Sequence, residues 1–246
     1  LGDVVLPLPR TWPCRIHDIE RVAADVVRVR LRLPPTAQLS WLPGQYVDVT
    51  GPGNVRRSYS IANAPRADGL VELHIKQVED GVLSAFWFGT AEPGALLRLR
   101  GPLGTFFLRE RPESGPWRLA LLATGTGLAP VKAILEGLAA RPPAQRPDRV
   151  TLHWGARRES DLYWQPDGSL PLDRFVPVLS RSDAAWTGAR GHVQAALLGD
   201  EPDLSGSVVY ACGSPAMIRD ARALLTHAGL PAHRFLSDAF VASTAA

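Results

Sequence analysis

Residues 13–108 and 117–246 follow two different rhythms of apolar and polar positions. In the first stretch the two kinds of residue alternate. Arg15-Ile16-His17-Asp18-Ile19 does so, and Val27-Arg28-Val29-Arg30-Leu31-Arg32-Leu33 does so more strictly. Alternation turns one face to a core and the other to water, which predicts β-strands. Further strands are expected at 45–50, 55–62, 70–78 and 95–101. Pro34-Pro35, Pro43-Gly44, Gly51-Pro52-Gly53 and Pro93-Gly94 separate them as turns. Six short strands at this spacing predict a closed antiparallel β-barrel. A helix is expected to interrupt it at 82–90.

In the second stretch the period changes. Residues 118–123 form a continuous apolar run, as expected of a strand buried on both faces. A helical spacing follows at 129–140. Strands are expected at 149–154, 174–179, 208–212 and 234–236, with helices at 192–198 and 215–228. Alternating strands and helices predict a parallel sheet in an α/β domain. The join falls in the polar stretch 109–116, which contains Pro112, Gly115 and Pro116. The expected organisation is a segment 1–12, a barrel domain 13–112 and an α/β domain 113–246.

Composition narrows the possible roles. No apolar run approaches the roughly 18 residues of a membrane span, so no membrane role is expected. No basic patch followed by an apolar stretch opens the chain, so no signal peptide is visible. The chain starts at Leu1 rather than Met, as a processed or truncated form would. Two cysteines, Cys14 and Cys212, cannot build a disulfide framework or a four-cysteine metal site. That count fits a reducing, cytoplasmic compartment. The net charge is +3, but like charges never cluster in a block, so nucleic acid is not an expected partner. The positive charge is carried by 25 arginines and two lysines, Lys76 and Lys132. The six histidines show no i,i+4 pairing, which argues against zinc, and no metal site is expected.

Three segments carry candidate chemistry. In the first, Arg57-Ser58-Tyr59-Ser60, a strand puts Arg57 and Tyr59 on one face and Ser58 and Ser60 on the other. Arginine beside an aromatic ring suits a phosphate next to a planar heterocycle. An ordinary barrel strand with a surface arginine would show the same residues. The second, Thr124-Gly125-Thr126-Gly127-Leu128-Ala129-Pro130, lies between a buried strand and a helix. Its glycines let the backbone turn sharply, Thr126 is a candidate helix cap, and Pro130 suits a first helical turn. Free N–H groups at such a helix start suit a pyrophosphate. A tight turn without a ligand is the alternative. The third, Tyr210-Ala211-Cys212-Gly213-Ser214-Pro215, is again a strand end before a helix. Cys212 there is either a ligand contact or a small buried residue.

Their order is more specific than any one of them. Arg-x-Tyr-Ser, then Gly101-Pro102-Leu103-Gly104, then Gly-Thr-Gly-x-Ala-Pro, then Cys-Gly-x-Pro resembles the ferredoxin–NADP reductase superfamily from about Pro13 to Phe240. The stretches 101–110 and 154–163 are most similar to CDP-6-deoxy-glucoseen reductases and oxygenase reductases.

The resemblance implies FAD in the barrel and NADH or NADPH in the α/β domain. Arg57 and Ser58 would lie at the flavin, with Arg57 on the pyrophosphate. Tyr59 would stack on the isoalloxazine, and Ser60 would bond near its N5 as a catalytic group. His74, Ile75 and Lys76 would run along the phosphate and ribitol. Gly81, Val82, Leu83 and Ser84 would start a helix whose N–H groups meet the pyrophosphate. Gly125, Thr126, Gly127 and Pro130 would cradle the nicotinamide nucleotide, which Cys212 and Gly213 would flank. Asp238 and Phe240 have the spacing of an acidic residue and an aromatic ring that relatives hold near the flavin. The nearest relatives imply NADH. Arg157, Arg158 and Arg181, after the second and third strands of the domain, would suit the 2′-phosphate of NADPH.

The same resemblance implies electron transfer from NAD(P)H through FAD to a one-electron acceptor. Close relatives carry a plant-type [2Fe–2S] domain with four cysteines. Two cysteines cannot supply it, so an iron–sulfur protein or domain is the expected partner. Residues 1–12 resemble the linker that would follow such a domain. A free-flavin reductase and a non-catalytic electron-transfer subunit remain open alternatives.

Overall fold

In the computed structural model, residues 6–110 and 116–240 are the described ones. The chain divides into two units. One runs to Glu110 and includes Lys132–Gly137; the other takes Arg111–Val131 and everything from Leu138 onward. The expected boundary at 112/113 lies outside the described residues.

The first unit holds β1 (Arg10–Ala23), β2 (Val26–Arg32), β3 (Tyr46–Thr50), β4 (Arg56–Ser60), β5 (Leu70–Lys76), α1 (Val82–Ala85) and β6 (Leu96–Leu103). Its sheet is antiparallel with strand order β4-β3-β6-β1-β2-β5. An antiparallel bridge between Ile61 and Leu73 joins the two end strands. Alternate residues point inward and form one core, with Ile16, Val29, Leu31, Val49, Leu73 and Leu99 fully buried. Cys14 belongs to this core. β1 is longer than its alternating segment suggested. Pro13 and two register shifts break its pattern, yet it pairs with β6 through Arg10–Arg15 and with β2 from Arg15 onward. The expected helix at 82–90 is α1 followed by a wider turn of π type at Phe86–Thr90.

The second unit holds β7 (Arg118–Thr124), the two ends of α2 (Leu128–Ala139; its residues Lys132–Gly137 count with the first unit), β8 (Arg149–Ala156), β9 (Arg174–Leu179), β10 (Ala189–Arg190), α3 (Val193–Asp200), β11 (Ser207–Gly213), α4 (Pro215–His227) and β12 (Phe235–Ala239). The sheet is parallel with order β10-β9-β8-β7-β11-β12. Five strands were expected. The sixth, β10, has two residues, too few for any periodicity to show. β12 runs three residues further than expected, so Asp238 lies within a strand. Ser214 caps α4, its hydroxyl accepting from the Met217 N–H at 3.2 Å, and Pro215 opens the helix.

Candidate functional site

The chain winds from β7 through β8 and β9 to β10 on one side, then returns to place β11 and β12 on the other. The order therefore reverses between β7 and β11. Ligands of open α/β sheets sit outside the carboxyl ends of strands at such a reversal. Both glycine segments lie there. Gly125–Gly127 forms a 3₁₀ turn between β7 and α2. Gly125 has φ +53 with nothing within 4 Å of the position a Cβ would take, so open space lies above it. Gly127 instead packs on the backbone of Cys212 and Gly213, where no side chain fits. The Gly125 carbonyl accepts from Trp154 Nε1 at 3.0 Å, which fixes the turn. Pro130 is buried in the first turn of α2.

Thr126 is not the helix cap. It lies inside the 3₁₀ turn, Thr124 occupies the cap position, and no side-chain cap bond forms. The turn replaces the side-chain cap with tight backbone bonds.

Cys212 and Asp238 are cross-strand partners of β11 and β12. The Phe240 N–H donates to the Gly213 carbonyl at 2.9 Å. Four sequence-derived candidates therefore meet at one edge of the strand reversal. Cys212 is fully buried, and burial, with the Asp238 charge second, pushes its thiol well above the usual range. A neutral thiol packs; it does not act as a nucleophile. Burial likewise raises the Asp238 carboxyl.

Arg157, Arg158 and Arg181 are exposed at the ends of β8 and β9. The Arg181 N–H donates to the Arg157 carbonyl at 2.9 Å, and the Ser180 N–H to Ala156 at 3.0 Å. The two loops are thus tied together, and no acidic residue ends β8.

In the barrel unit, β4 presents Arg57 and Tyr59. Tyr59 is half-buried, and its hydroxyl accepts from Trp87 Nε1 at 3.0 Å. The two rings meet edge to face with centroids 6.2 Å apart. Burial raises the Tyr59 phenol against the opposing effects of Trp87 and Arg57. The Arg57 guanidinium donates to the Arg56 carbonyl at 2.8 Å. Among the described residues it has no acidic partner within 4 Å. Ser60 is buried at the strand end, and Ser58 donates to Asp48 Oδ1 at 2.7 Å. Gly81 precedes α1, whose first N–H groups have no partner within the helix. Ser84 is turned back onto the Val78 N–H at 2.8 Å.

The side chain of Ile75 lies in the barrel core, because odd-numbered residues of β5 face inward. That of Leu83 is in the same core. Neither side chain is placed to touch a ligand, which leaves their backbone groups. His74 is also buried and sits on Glu72 at 3.2 Å, while Lys76 pairs with Asp25 at 3.0 Å.

The donors fit the implied cofactors. A cation without an acidic partner, a half-exposed aromatic ring and free helix-start N–H groups suit a dinucleotide carrying a flat ring system. A glycine turn with open space above it suits a second nucleotide.

Residues 13–108 match the model of the oxidoreductase FAD-binding domain, and residues 121–223 match that of the oxidoreductase NAD-binding domain. The chain is 44% identical over 238 residues to a CDP-6-deoxy-L-threo-D-glycero-4-hexulose-3-dehydrase reductase of Yersinia pseudotuberculosis, covering 95% of this chain and 70% of that one. The chain belongs to the ferredoxin–NADP reductase family. It is an oxidoreductase with an FAD-binding and an NAD-binding domain. A second member of the family, the xylene/toluene monooxygenase electron transfer component of Pseudomonas putida, is 35% identical, covering 98% of this chain and 68% of that one. The crystal structure of an Amycolatopsis cytochrome P450 reductase superposes with a TM-score of 0.84 at 31% identity, over 97% of this chain and 72% of that one.

Lys132 is central in the fold and was not singled out in the sequence. Its partners in the fold, Ala62 and Glu72, lie 70 and 60 residues away in sequence. One signal was present: it is one of two lysines against 25 arginines.

Proposed function

We propose that this chain is the reductase of an electron-transfer system, with FAD on residues 13–112, NAD(P)H on 113–246 and an iron–sulfur protein or domain as one-electron acceptor. The observation that carries the reading is the strand reversal with Gly125–Gly127 and Cys212–Gly213 around it, alongside Arg57 and Tyr59 in the barrel unit. FAD bound there would supply hydride acceptance and single-electron release. The chain supplies position: Arg57 and the start of α1 hold phosphate, Tyr59 bears the ring, and the glycine turn admits the nucleotide. The donor is NADH or NADPH, and Arg157 and Arg181 set the ratio between them.

An acidic acceptor is supported by the outer face of the barrel sheet. Register places Arg56, Arg98, Arg100, Arg15 and Arg32 on that face across β4, β3, β6, β1 and β2. Arg15 and Arg32 stand directly opposite each other. Asp48 lies among them, 3.5 Å from Arg100 and 3.9 Å from Arg56, and further along the same face Asp18 and Glu20 pair with Arg30 and Arg28. Arg15, Arg32 and Arg98, which have no ion pair among the described residues, leave that part of the face open to negative charge and make association sensitive to salt. The two cysteines of these residues cannot hold a four-cysteine cluster, so the iron is assigned to an iron–sulfur protein or domain outside them.

The test is FAD content and NAD(P)H oxidation by the purified chain with ferricyanide. Cytochrome c reduction is then measured with and without a [2Fe–2S] ferredoxin across ionic strength. Bound FAD and ferredoxin-dependent, salt-sensitive reduction are expected. A chain that cannot be loaded with FAD overturns the reading. Stoichiometric iron in the isolated chain overturns the assignment of the cluster.

A further inference from the structure

We infer that Lys132 and Glu136 are positioning residues, clamping the backbone that follows Ser60 and so fixing the strand that carries Tyr59. The inference rests on the reading of β4 as the flavin-binding strand.

Lys132 Nζ donates to the Ala62 carbonyl at 3.0 Å, to Glu72 Oε1 at 2.9 Å and to Glu136 Oε1 at 2.6 Å. An ammonium has three donors, and all three are used. Glu136 turns its other oxygen to the Ala64 N–H at 3.0 Å. One lysine and one glutamate, a helical turn apart, thus hold the peptide groups on either side of Asn63. Nearby groups complete the segment. The Ala62 N–H donates to the Glu72 carbonyl at 2.7 Å, and Trp41 Nε1 donates to the Asn63 carbonyl at 2.9 Å. Ala62 is two residues beyond Ser60, so a shift at the clamp moves the end of β4 directly.

The choice of lysine fits this role. The chain uses arginine at 25 of its 27 Lys/Arg positions, yet this site needs three diverging bonds from one atom. A planar guanidinium presents its donors in a fork and cannot reproduce that arrangement. The site is also secluded: the side chains of Lys132 and Glu72 are 12% and 6% exposed. Arg66 meets the remaining Glu72 oxygen at 3.2 Å. A buried network with every member bonded fixes one geometry.

Two readouts test the inference in Lys132→Met, Lys132→Arg and Glu136→Gln. The first is amide hydrogen exchange in the ligand-free chain, which does not depend on FAD. Exchange over residues 58–64 should quicken about tenfold or more in Lys132→Met, with 149–156 unchanged. The second uses the FAD-loaded fraction. The rate of flavin reduction at saturating NADH should fall about 10- to 100-fold, since small misplacements at a reacting centre have that effect. The flavin absorbance band should shift, and KM for NADH should stay within about twofold. Lys132→Arg should recover little of the rate. Glu136→Gln keeps an acceptor oxygen and should show the same changes more weakly; it carries the test if Lys132→Met does not fold. A wild type that binds no FAD defeats the functional reading and leaves the exchange test standing. Unchanged exchange at 58–64, or a wild-type reduction rate in the loaded variants, overturns the clamp.

Discussion

Lys132 in the barrel unit and Arg181 in the nucleotide unit treat positive charge in opposite ways. Lys132 is nearly buried and satisfied by a carbonyl and two carboxylates. Arg181 is exposed after β9, and among the described residues no ion pair involves it. A buried cation with every donor used is committed to structure, because leaving its partners uncompensated is costly. An exposed cation at the carboxyl end of a parallel strand costs nothing to keep and stays available to a ligand. Arg57 lies between these cases: half-buried, beside Tyr59, and without an acidic partner among the described residues. Charge that is paired marks the frame; charge that is unpaired beside a strand end marks the site.

The strongest way to break this distinction is Arg57→Ala. If unpaired charge marks the site, the loss should fall on FAD affinity. Hydrogen bonds to charged groups contribute about 1.5–3 kcal/mol, or roughly 10- to 150-fold. Equilibrium dialysis should show that drop, while the FAD-loaded fraction keeps most of its rate. Unchanged affinity removes Arg57 from the site.

The glycine turn offers a second contrast. A Cβ at Gly127 would meet the Cys212 carbonyl group and stand 3.0 Å from the Gly213 nitrogen. That backbone cannot give way, so Gly127→Ala should cost about 1–3 kcal/mol in stability. Gly125 has open space but a positive φ, and Gly125→Ala should cost about 1 kcal/mol. Thermal unfolding orders the two, and equal losses would deny that Gly127 is fixed by contact.

How much of this could be read from sequence follows the range of the interactions. β9 was legible to the residue, because an apolar run bounded by polar residues needs no partner to be seen. The segment Arg57–Ser60 was legible because strand alternation sorts its side chains. β10 was not, since two residues carry no period. The burial of the Ile75 side chain follows from the strand pattern, which leaves its backbone groups for a ligand. The clamp at Lys132 could not be found by spacing. Its i,i+4 partner Glu136 is local, but Ala62 and Glu72 come from another part of the chain. The Cys212–Asp238 pairing has the same cause: register between β11 and β12 is set by packing.

Acid sharpens the comparison further, because both units bury a histidine on a carboxylate. His74 sits on Glu72 at 3.2 Å and His153 on Asp200 at 2.9 Å. Burial lowers both imidazoles, against the pull of those carboxylates. A histidine with a lower pKa when folded binds fewer protons in the native state. Its contribution is present above the unfolded value near 6.5 and lost as pH falls. Glu72 has the same sign. Burial raises its carboxyl, but His74 and Lys132 outweigh that and hold it well below the usual range. Its share is lost once pH falls below about 4.3. The melting temperature should therefore fall steadily from about pH 7 to pH 5 and more steeply near pH 4. In the second unit the His153 Nδ1, Thr151 Oγ1 and Glu201 Oε2 atoms are buried without partners, whereas no atom of Glu72, His74 or Lys132 is among such atoms. His153→Gln should therefore disturb stability less than His74→Gln. The reverse order would show that a completed network matters less than the histidine's own burial.

The smallest expected effect is the most direct test of the unpaired cation. Arg181→Ala removes a charge that touches no carboxylate, so stability should not change measurably. What should change is the ratio of kcat/KM for NADPH to that for NADH. The two nucleotides differ by a 2′-phosphate, and no acidic residue ends β8 to hold a ribose diol. The backbone bond from Arg181 to Arg157 keeps the two loops together, so Arg157 retains part of the attraction in the single variant. Exposed charge pairs contribute about 0.2–1 kcal/mol, which limits the fall in the ratio to roughly fivefold. The effect should shrink as salt rises, because both partners face solvent. Arg157→Ala with Arg181→Ala should lower the ratio further. A ratio that stays constant in both variants and at all ionic strengths would make these arginines ordinary surface charge.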